Sequence, residues 1–195
     1  YEKVSRDFDD GADIIDIGGE SSRPGAENVS ASREMTRVIP IIKKIKTKLP
    51  DMTLSIDTTK PEIAYAALNE GVDIVNDING GRDPKLLEIV GLFNAGLVLM
   101  HMQGNPRTMQ LSPSYANVTY ELINFLESRI AEAEHLGVTM RQICVDPGIG
   151  FGKTLGQNYE ILANVEKFVR SFDCVMLGAS RKRFLRDTVK ENDPL

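Results

Sequence analysis

The chain has 195 residues, of which 42% are hydrophobic, and it carries a formal net charge of −5. This length is enough for one large core, and the acidic balance argues against nucleic acid or an anionic membrane as a partner. No apolar run reaches the roughly 18–20 residues that a membrane span needs. No signal peptide is visible, and the two cysteines, Cys144 and Cys174, lie inside apolar runs. We therefore expect a cytoplasmic protein with both thiols buried in strands and without a structural disulfide.

Short apolar runs and amphipathic stretches alternate along the chain. The apolar runs predict six strands, at residues 14–17, 52–57, 72–77, 97–100, 142–145 and 174–177. The amphipathic stretches predict helices at about residues 1–10, 32–48, 59–71, 83–94, 115–137 and 158–170, with a basic helix at the end. Pro40 should kink the second helix or delay its start. Thr59 and Glu62 have the spacing of a capping box for the third helix.

Strand, polar loop, helix and short turn repeat about six times, which predicts stacked β/α units and a parallel sheet. A doubly wound sheet and a (β/α)₈ TIM barrel both fit this pattern. Polar and glycine-rich residues follow every strand, and no GxGxxG motif opens a first unit, which favours the barrel. Because only about six strands are visible, we expect one barrel domain over residues 1–195 that lacks the first strand and the last strand and helix. Truncation or disorder would explain the missing ends.

The predicted strands end in polar residues, which a barrel would bring to one face. These residues are Asp16, Asp57, Asn76, His101, Asp146 and the segment 180–182. Carboxylates accept hydrogen bonds and an amide both donates and accepts, so Asp57, Asn76 and Asp146 suit the edge of a nitrogen heterocycle with N–H and amino groups. Phe151, on the glycine-rich loop after Asp146, would cover the ring face. A single strand-end Asp is about as often a helix cap or a partner of Lys as a site residue, but Asp57, Asn76 and Asp146 together, with glycines beside two of them, favour a binding site.

Cations and hydroxyls follow two strands, at residues 21–25 and 180–182, and suit a phosphate or carboxylate. An arginine in a surface loop is usually only solvated, so neither segment decides the matter alone. His101 has no second ligand at a metal-binding spacing, and we expect a buried, hydrogen-bonded histidine. No nucleophile–base pattern and no metal cluster emerges. This favours a reaction driven by binding, orientation and charge stabilisation.

Six segments of the chain resemble the dihydropteroate synthases, in the order in which that family carries them. They are DIGGESSRPG (16–25), SIDTTKP (55–61), NDI (76–78), MHMQG (100–104), DPGIGFGK (146–153) and GASRK (178–182). The resemblance implies a (β/α)₈ barrel, usually a homodimer, and a transferase of folate biosynthesis that is the sulfonamide target. With Mg²⁺, the family condenses 6-hydroxymethyl-7,8-dihydropterin diphosphate with p-aminobenzoate to give 7,8-dihydropteroate and pyrophosphate.

The resemblance also implies roles for the matched residues in holding the pterin. Asp146 and Asn76 would hold its amino and N–H edge, with Asp57 at the ring near the reacting methylene. The pocket wall would consist of Ile78, Met100, Phe151 and Gly178. Pyrophosphate leaves first in the family mechanism, and the arylamine captures a pterin carbocation. Asp57 would stabilise that cation, and Lys182 would be the second catalytic residue, in contact with the pterin.

The remaining matched residues would serve p-aminobenzoate. Lys182 would line its side of the pocket, and Ser22, Arg23 and Ser180 would hold it and order a mobile loop. The family's NVTPDSF loop, with its metal-binding Asn, and its C-terminal RxH grip on the diphosphate are absent from this chain. The main protein ligand of Mg²⁺ would therefore lie outside it.

Two alternatives remain open. A pterin-binding methyltransferase barrel uses a related pocket to pass a methyl group to a corrinoid, but it would have no use for the loop at 21–25 or for residues 180–182. A catalytically degenerate barrel acting as a partner subunit is favoured only by the missing ends.

Overall fold

The computed structural model describes residues 2–23, 25–180 and 182, in which strands and helices alternate. The strands of this part are β1 (Ile14–Gly18), β2 (Thr53–Asp57), β3 (Ile74–Asp77), β4 (Gly96–Met100) and β5 (Ile143–Asp146). The helices are α1 (Glu2–Asp9), α2 (Ala31–Lys48), α3 (Pro61–Asn69), α4 (Pro84–Phe93), α5 (Val118–His135), α6 (Leu155–Ala163) and α7 (Val165–Ser171), with a 3₁₀ turn at Met140–Gln142. Pro24, Arg181 and the basic helix predicted beyond Lys182 lie outside the described residues.

All five strands are parallel, and their order in the sheet is their order in the sequence. Each β/α step moves one strand along, as in a barrel, whereas a doubly wound sheet reverses at a switch point. One register line runs through Gly18, Asp57, Asn76, Val98 and Cys144. These side chains therefore share one face of the sheet.

The sheet continues beyond β5 through a single bridge from Val145 to Val175. The Val145 N–H donates to the Cys174 carbonyl at 3.0 Å, and the Met176 N–H donates to the Val145 carbonyl at 2.8 Å. The sixth strand, predicted at residues 174–177, is thus reduced to this bridge in the described part of the chain.

The hydrophobic core lies between the sheet and the helices. Alternate strand residues are buried against the helices: Ile15, Ile17, Leu54, Ile56, Val75, Leu97, Leu99 and Val145. The helices contribute apolar faces, such as Val38, Ile42 and Ile45 of α2. Burying one such side chain is worth about 1.5–3 kcal/mol. The opposite face of the sheet carries the polar residues at the strand ends, together with buried Val98 and Met100 of β4.

Three local expectations are wrong. Pro40 does not delay α2, which runs from Ala31 to Lys48 behind a cap in which the Ser30 side chain accepts from the Arg33 N–H. Pro40 itself is exposed, and burial of the opposite face holds the helix across it. The N-cap of α3 is Lys60, without a side-chain cap, rather than Thr59. The helix predicted at 158–170 is two helices, α6 and α7, that meet at Asn164.

The two cysteines are also less buried than predicted. Both are free, but Cys144 is only half-buried and Cys174 is exposed. The bridge at Val145 sets their side chains on the face of the sheet away from the helices, because side chains alternate along a strand. None of the helices in the described part is long and apolar enough to cross a membrane.

Candidate functional site

The ends of β1, β2 and β3 place two predicted site residues next to each other. Asp57 pairs in register with Asn76 on one side and with Gly18 on the other. A side chain at Gly18 would begin 3.4 Å from Asp57 Oδ2, so the glycine leaves the space beside this carboxylate open. The Asn76 amide nitrogen donates to Asp16 Oδ2 at 3.0 Å. Asp16 therefore fixes the amide so that its oxygen is left to accept.

Asp57 holds its proton more tightly than an ordinary aspartate. Burial, followed by the charges of the nearby carboxylates Asp16 and Glu34, raises its pKa to about 7. Desolvation and like charges both disfavour the ionised form. A cation placed beside Asp57 would reverse this balance and would itself be stabilised.

Asp146 ends β5 beside Met100 of β4, and its side chain is buried. One carboxylate oxygen, Oδ1, accepts from the Gly148 N–H at 2.8 Å. The other, Oδ2, faces Gly178, where a Cβ would lie 3.7 Å away. Burial raises the pKa of Asp146, and the Gly148 hydrogen bond and the Lys182 and Lys153 charges oppose that rise. The carboxylate thus has one oxygen fixed by the loop and one directed at a glycine.

A small apolar cluster separate from the main core forms beside Asp146. Met100, Met102 and Met109 are buried in it, with Ile78 and Phe151 packed against them. The Lys182 ammonium lies 4.2 Å from the centroid of the Phe151 ring, close enough for a cation–π contact. Burial lowers the pKa of Lys182, and the Asp146 charge opposes that shift.

A cavity of about 380 Å³ opens between the loops after β1, β2, β3 and β4. Three predicted site residues line it, Ser22, Asp57 and Ile78. Residues that the sequence did not single out also line it: Glu20, Glu34, Thr58, Lys60, Asn79, Asn105 and Arg107. The cavity is large enough to accept part of a drug-sized ligand.

The loop after β1 is tied to β2 through Lys60. Its ammonium bonds both Glu20 and Glu34. Glu20 also accepts from the Val29 N–H at 2.9 Å, and Glu34 accepts from the Thr58 hydroxyl at 2.8 Å. Burial lowers the pKa of Lys60, but the bonds to Glu20 and Glu34 outweigh it and the net pKa is raised. The charged group thus orders the loop that carries Ser22 and Arg23.

The neighbouring turn after β3 carries Ile78. Both oxygens of buried Asp77 accept backbone N–H groups, from Asn79 at 2.8 Å and from Gly81 at 2.6 Å. These bonds fold the turn tightly and hold Ile78 at the cavity.

His101 is buried and its Nδ1 lies 3.2 Å from the Lys153 ammonium. Burial, together with the Lys153 and Arg82 charges, lowers its pKa to about 3, so the ring is neutral at ordinary pH. The prediction of a buried, hydrogen-bonded histidine is confirmed.

The predicted residues form two neighbouring groups rather than one. Asp57 and Asn76 stand side by side, and Asn76 and Asp146 flank β4, whose Met100 forms the wall between them. Ile78, Phe151, Gly178 and Lys182 gather around Asp146 and Met100. Arg23 and Ser180 are exposed, and within the described part neither side chain bonds to the other predicted residues.

The structure adds residues that the sequence gave little reason to select. Glu34 lies on α2, and no local pattern marks it. Lys60 and Lys153 had a usable signal, since each follows a strand-end carboxylate by a few positions. Asp16 was predicted at a strand end but without a role.

A family model described as pterin binding enzyme matches residues 1–194. The chain belongs to this family.

Individual members of the family are similar over most of the chain. The dihydropteroate synthase of Synechocystis sp. is 43% identical over 185 residues, which cover 94% of this chain and 64% of the relative. That of Escherichia coli (strain K12) is 41% identical over 175 residues, which cover 90% of this chain and 62% of the relative. The chain thus spans somewhat less than two thirds of the length of these curated relatives.

Solved structures of dihydropteroate synthases superpose closely on this pterin-binding chain. That of Yersinia pestis, in a sulfonamide drug complex, has a TM-score of 0.93 at 34% identity and covers 97% of this chain and 69% of its own. That of Xanthomonas albilineans with 4-aminobenzoic acid has a TM-score of 0.91 at 37% identity. The match covers 99% of this chain and 68% of that enzyme's chain. That of Burkholderia cenocepacia with 7,8-dihydropteroate has a TM-score of 0.87 at 39% identity. The match covers 97% of this chain and 69% of that enzyme's chain. These enzymes are TIM barrels, so the predicted α/β barrel fold is confirmed.

Proposed function

We propose that the protein carrying this chain is a dihydropteroate synthase. It condenses 6-hydroxymethyl-7,8-dihydropterin diphosphate with p-aminobenzoate and releases pyrophosphate, a transferase step of folate biosynthesis. One observation carries the proposal: Asn76 and buried Asp146 flank β4 at the carboxyl edge of the sheet, with Asp57 beside Asn76. The similar dihydropteroate synthases, including those solved with 4-aminobenzoic acid and with 7,8-dihydropteroate, support the same function.

The pterin would lie over Met100 with its polar edge between Asn76 and Asp146. Asn76 and Asp146 lie two strands apart and are offset by two residues along β4. With strands about 4.8 Å apart and about 3.3 Å per residue, their Cα atoms are on the order of 12 Å apart, which leaves room for a bicyclic ring between the side chains. Asp146 would accept from the amino group and ring N–H through the oxygen that faces Gly178. Phe151, Ile78 and Met100 would cover the ring faces, because they form one apolar cluster there.

Asp57 would act on the reacting methylene. The methylene–oxygen bond breaks, and pyrophosphate leaves with the electron pair. The lone pair of the p-aminobenzoate nitrogen then forms the new carbon–nitrogen bond, and that nitrogen loses a proton. Positive charge develops on the pterin in between, and the ionised Asp57 carboxylate stabilises it. The surrounding carboxylates that raise the pKa of Asp57 favour a cation at this point.

The other substrate would lie on the side of Lys182 and the loop after β1. Ser22 lines the cavity there, and Lys182 stands over the Phe151 ring. We assign Arg23 and Ser180 to p-aminobenzoate as well. Both are exposed, so this role requires the two loops to close over the substrate.

The magnesium ion that the family resemblance implies would have its main protein ligand outside this chain. No group of three or more His, Cys, Asp or Glu side chains among the described residues could hold a metal ion. No step of the proposed reaction is therefore assigned to a metal. A homodimer and a cytoplasmic location are also proposed, on the family resemblance, and sedimentation of the complete protein tests the former.

The deciding experiment is p-aminobenzoate-dependent release of pyrophosphate by the complete protein. We expect release only when both substrates are present, and its loss in Asp146→Ala. Asp51→Ala is the matched control, because Asp51 is an exposed carboxylate just before β2, at the opposite edge of the sheet. Methyl transfer from methyltetrahydrofolate without p-aminobenzoate would establish the methyltransferase alternative. Failure to bind the pterin diphosphate would favour a degenerate barrel.

A further inference from the structure

Lys153 is a buried cation to which the proposed reaction gives no task. It ends the glycine-rich loop after β5 and is only 3% exposed. Its ammonium donates to the carbonyls of Gly148 and Phe151, each at 2.9 Å, and of His101 at 3.3 Å. The fourth neighbour is His101 Nδ1 at 3.2 Å. None of the ion pairs found among the described residues includes Lys153, so dipoles rather than a paired carboxylate hold the charge.

These acceptors come from two segments that meet backbone to backbone. A Cβ at Gly148, where φ is +69°, would lie 1.9 Å from the His101 carbonyl oxygen. A Cβ at Gly152 would lie 2.9 Å from the Gln103 carbonyl oxygen. The loop after β5 thus packs directly on the segment after β4. Carbonyl groups of the two segments face each other at this contact and repel one another. The Lys153 ammonium donates a hydrogen bond to three of them.

This contact between the two segments also supports the two predicted site residues beside it, Asp146 and Phe151. The Gly148 N–H donates to the Asp146 carboxylate, while the Gly148 carbonyl accepts from Lys153. Phe151, whose ring packs on the methionine cluster, accepts from Lys153 through its carbonyl. A shift of the Lys153 ammonium would therefore move both the Gly148 N–H that supports the Asp146 carboxylate and the Phe151 ring.

Burial lowers the pKa of Lys153 to about 7, although the Asp146 charge opposes the shift. Keeping a lysine here costs desolvation, which an apolar side chain would avoid. Its side chain is buried and its ammonium is surrounded by the carbonyls of His101, Gly148 and Phe151, so it supports the loop backbone rather than facing an open pocket.

We propose that Lys153 is a positioning residue whose ammonium locks the glycine-rich loop onto the segment after β4 and so sets Asp146 and Phe151 for the pterin. That the ligand is a pterin rests on the proposed function. That the Lys153 ammonium holds the loop against the segment after β4 does not depend on it.

The first test is the kinetics of Lys153→Met, which keeps an unbranched side chain only one atom shorter and removes the donors. In the complete protein we expect the KM for the pterin diphosphate to rise ten-fold or more and the KM for p-aminobenzoate to stay within two-fold. Lys85→Met, at an exposed lysine of α4, should change neither. Simple loss of folded protein would lower the apparent kcat and leave both KM values unchanged. Lys153→Arg, which keeps the charge and donors, should bind the pterin more tightly than Lys153→Met.

The second test needs no activity. Amide hydrogen exchange of the ligand-free protein should become at least ten-fold faster at residues 148–152 in Lys153→Met and stay unchanged in β2 and β3. Should Lys153→Met not fold, His101→Phe removes one acceptor and keeps a ring against Phe125, with a smaller acceleration of about three-fold expected. Unchanged loop exchange, or equal losses for both substrates, would overturn the proposal. If the unmodified protein releases no pyrophosphate while loop exchange still depends on Lys153, the proposed function fails and the lock stands.

Discussion

Asp57 sits where burial and neighbouring carboxylates both oppose its charge. Its pKa is raised to about 7, well above that of an ordinary aspartate. The folded chain therefore binds this proton more tightly than the unfolded chain. Stability from this group is fully present below about pH 4 and is lost as the pH rises toward 7, because the unfolded state releases the proton first. At higher pH the ionised carboxylate lowers the stability of the folded chain. A cationic intermediate beside it would remove this destabilisation.

Replacing Asp57 should therefore separate stability from activity. We expect Asp57→Asn to raise the free energy of unfolding at pH 8 by roughly 1–3 kcal/mol, and to give little change at pH 4, since one pKa unit corresponds to about 1.4 kcal/mol. Denaturant titrations at the two pH values measure this. The same variant should lower kcat/KM about 10- to 100-fold, as expected for a lost charged interaction.

The pH dependence of kcat/KM tests whether Asp57 is the group that titrates. In the unmodified protein kcat/KM should rise with pH through about 7, as Asp57 ionises, and Asp57→Asn should lack this limb. A variant that is less stable at pH 8 and keeps the limb would show that Asp57 is neither strained nor the titrating group. Asp51→Asn, on the exposed turn before β2, should alter neither quantity.

At the scale of elements, the glycine-rich loop after β5 depends on residues without side chains. Gly148 combines a φ of +69° with a would-be Cβ only 1.9 Å from the His101 carbonyl oxygen. An L residue is strained at this φ, and here it would also collide with backbone that cannot move cheaply. Gly156 in α6 is the matched control, since nothing lies within 4 Å of its would-be Cβ.

We expect Gly148→Ala to lower the free energy of unfolding by about 2–4 kcal/mol and to weaken pterin binding. Backbone strain costs about 1–3 kcal/mol, and the clash adds to it. Gly156→Ala should be neutral or stabilise by up to about 1 kcal/mol, because alanine favours a helix. Thermal unfolding and pterin titration measure both variants. Equal effects of the two substitutions would refute the close packing of the loop on the segment after β4.

Some elements were predictable from local sequence and some were not. Strand ends such as Asp57, Asn76 and Asp146 were found because apolar runs stop at them, and parallel strands bring such ends together. Glu34 was missed because it acts across 26 residues, through Lys60, and no local pattern encodes that pair. A later start of α2 at Pro40, one of the two effects expected of the proline, was wrong, because burial of Val38 and Ile42 stabilises the packed helix across it.

At the scale of the whole molecule, the sheet separates stability from chemistry. Its helix-facing side carries the large apolar core, and its other side carries the polar strand ends. The barrel and the polar strand ends could be predicted from the sequence together, because one alternation of side chains generates both faces of the sheet. The exposure of Cys174 shows the limit of this inference. An apolar run indicates a strand, but it does not say which of its residues meet the helices.

This separation predicts that core substitutions leave substrate affinity intact. Ile42 of α2 is fully buried at 0% exposure, while its neighbour Ile41 is 41% exposed. We expect Ile42→Ala to cost about 2–5 kcal/mol of unfolding free energy and Ile41→Ala less than about 0.5 kcal/mol. Both should keep the KM values of the unmodified protein at a temperature where each is folded, because Ile42 packs behind the sheet. Denaturant unfolding and steady-state kinetics on the same preparations measure the two effects. A change of more than about three-fold in the pterin KM of Ile42→Ala, equivalent to roughly 0.7 kcal/mol, would mean that the helix layer transmits its packing through β1 and β2 to Asp57.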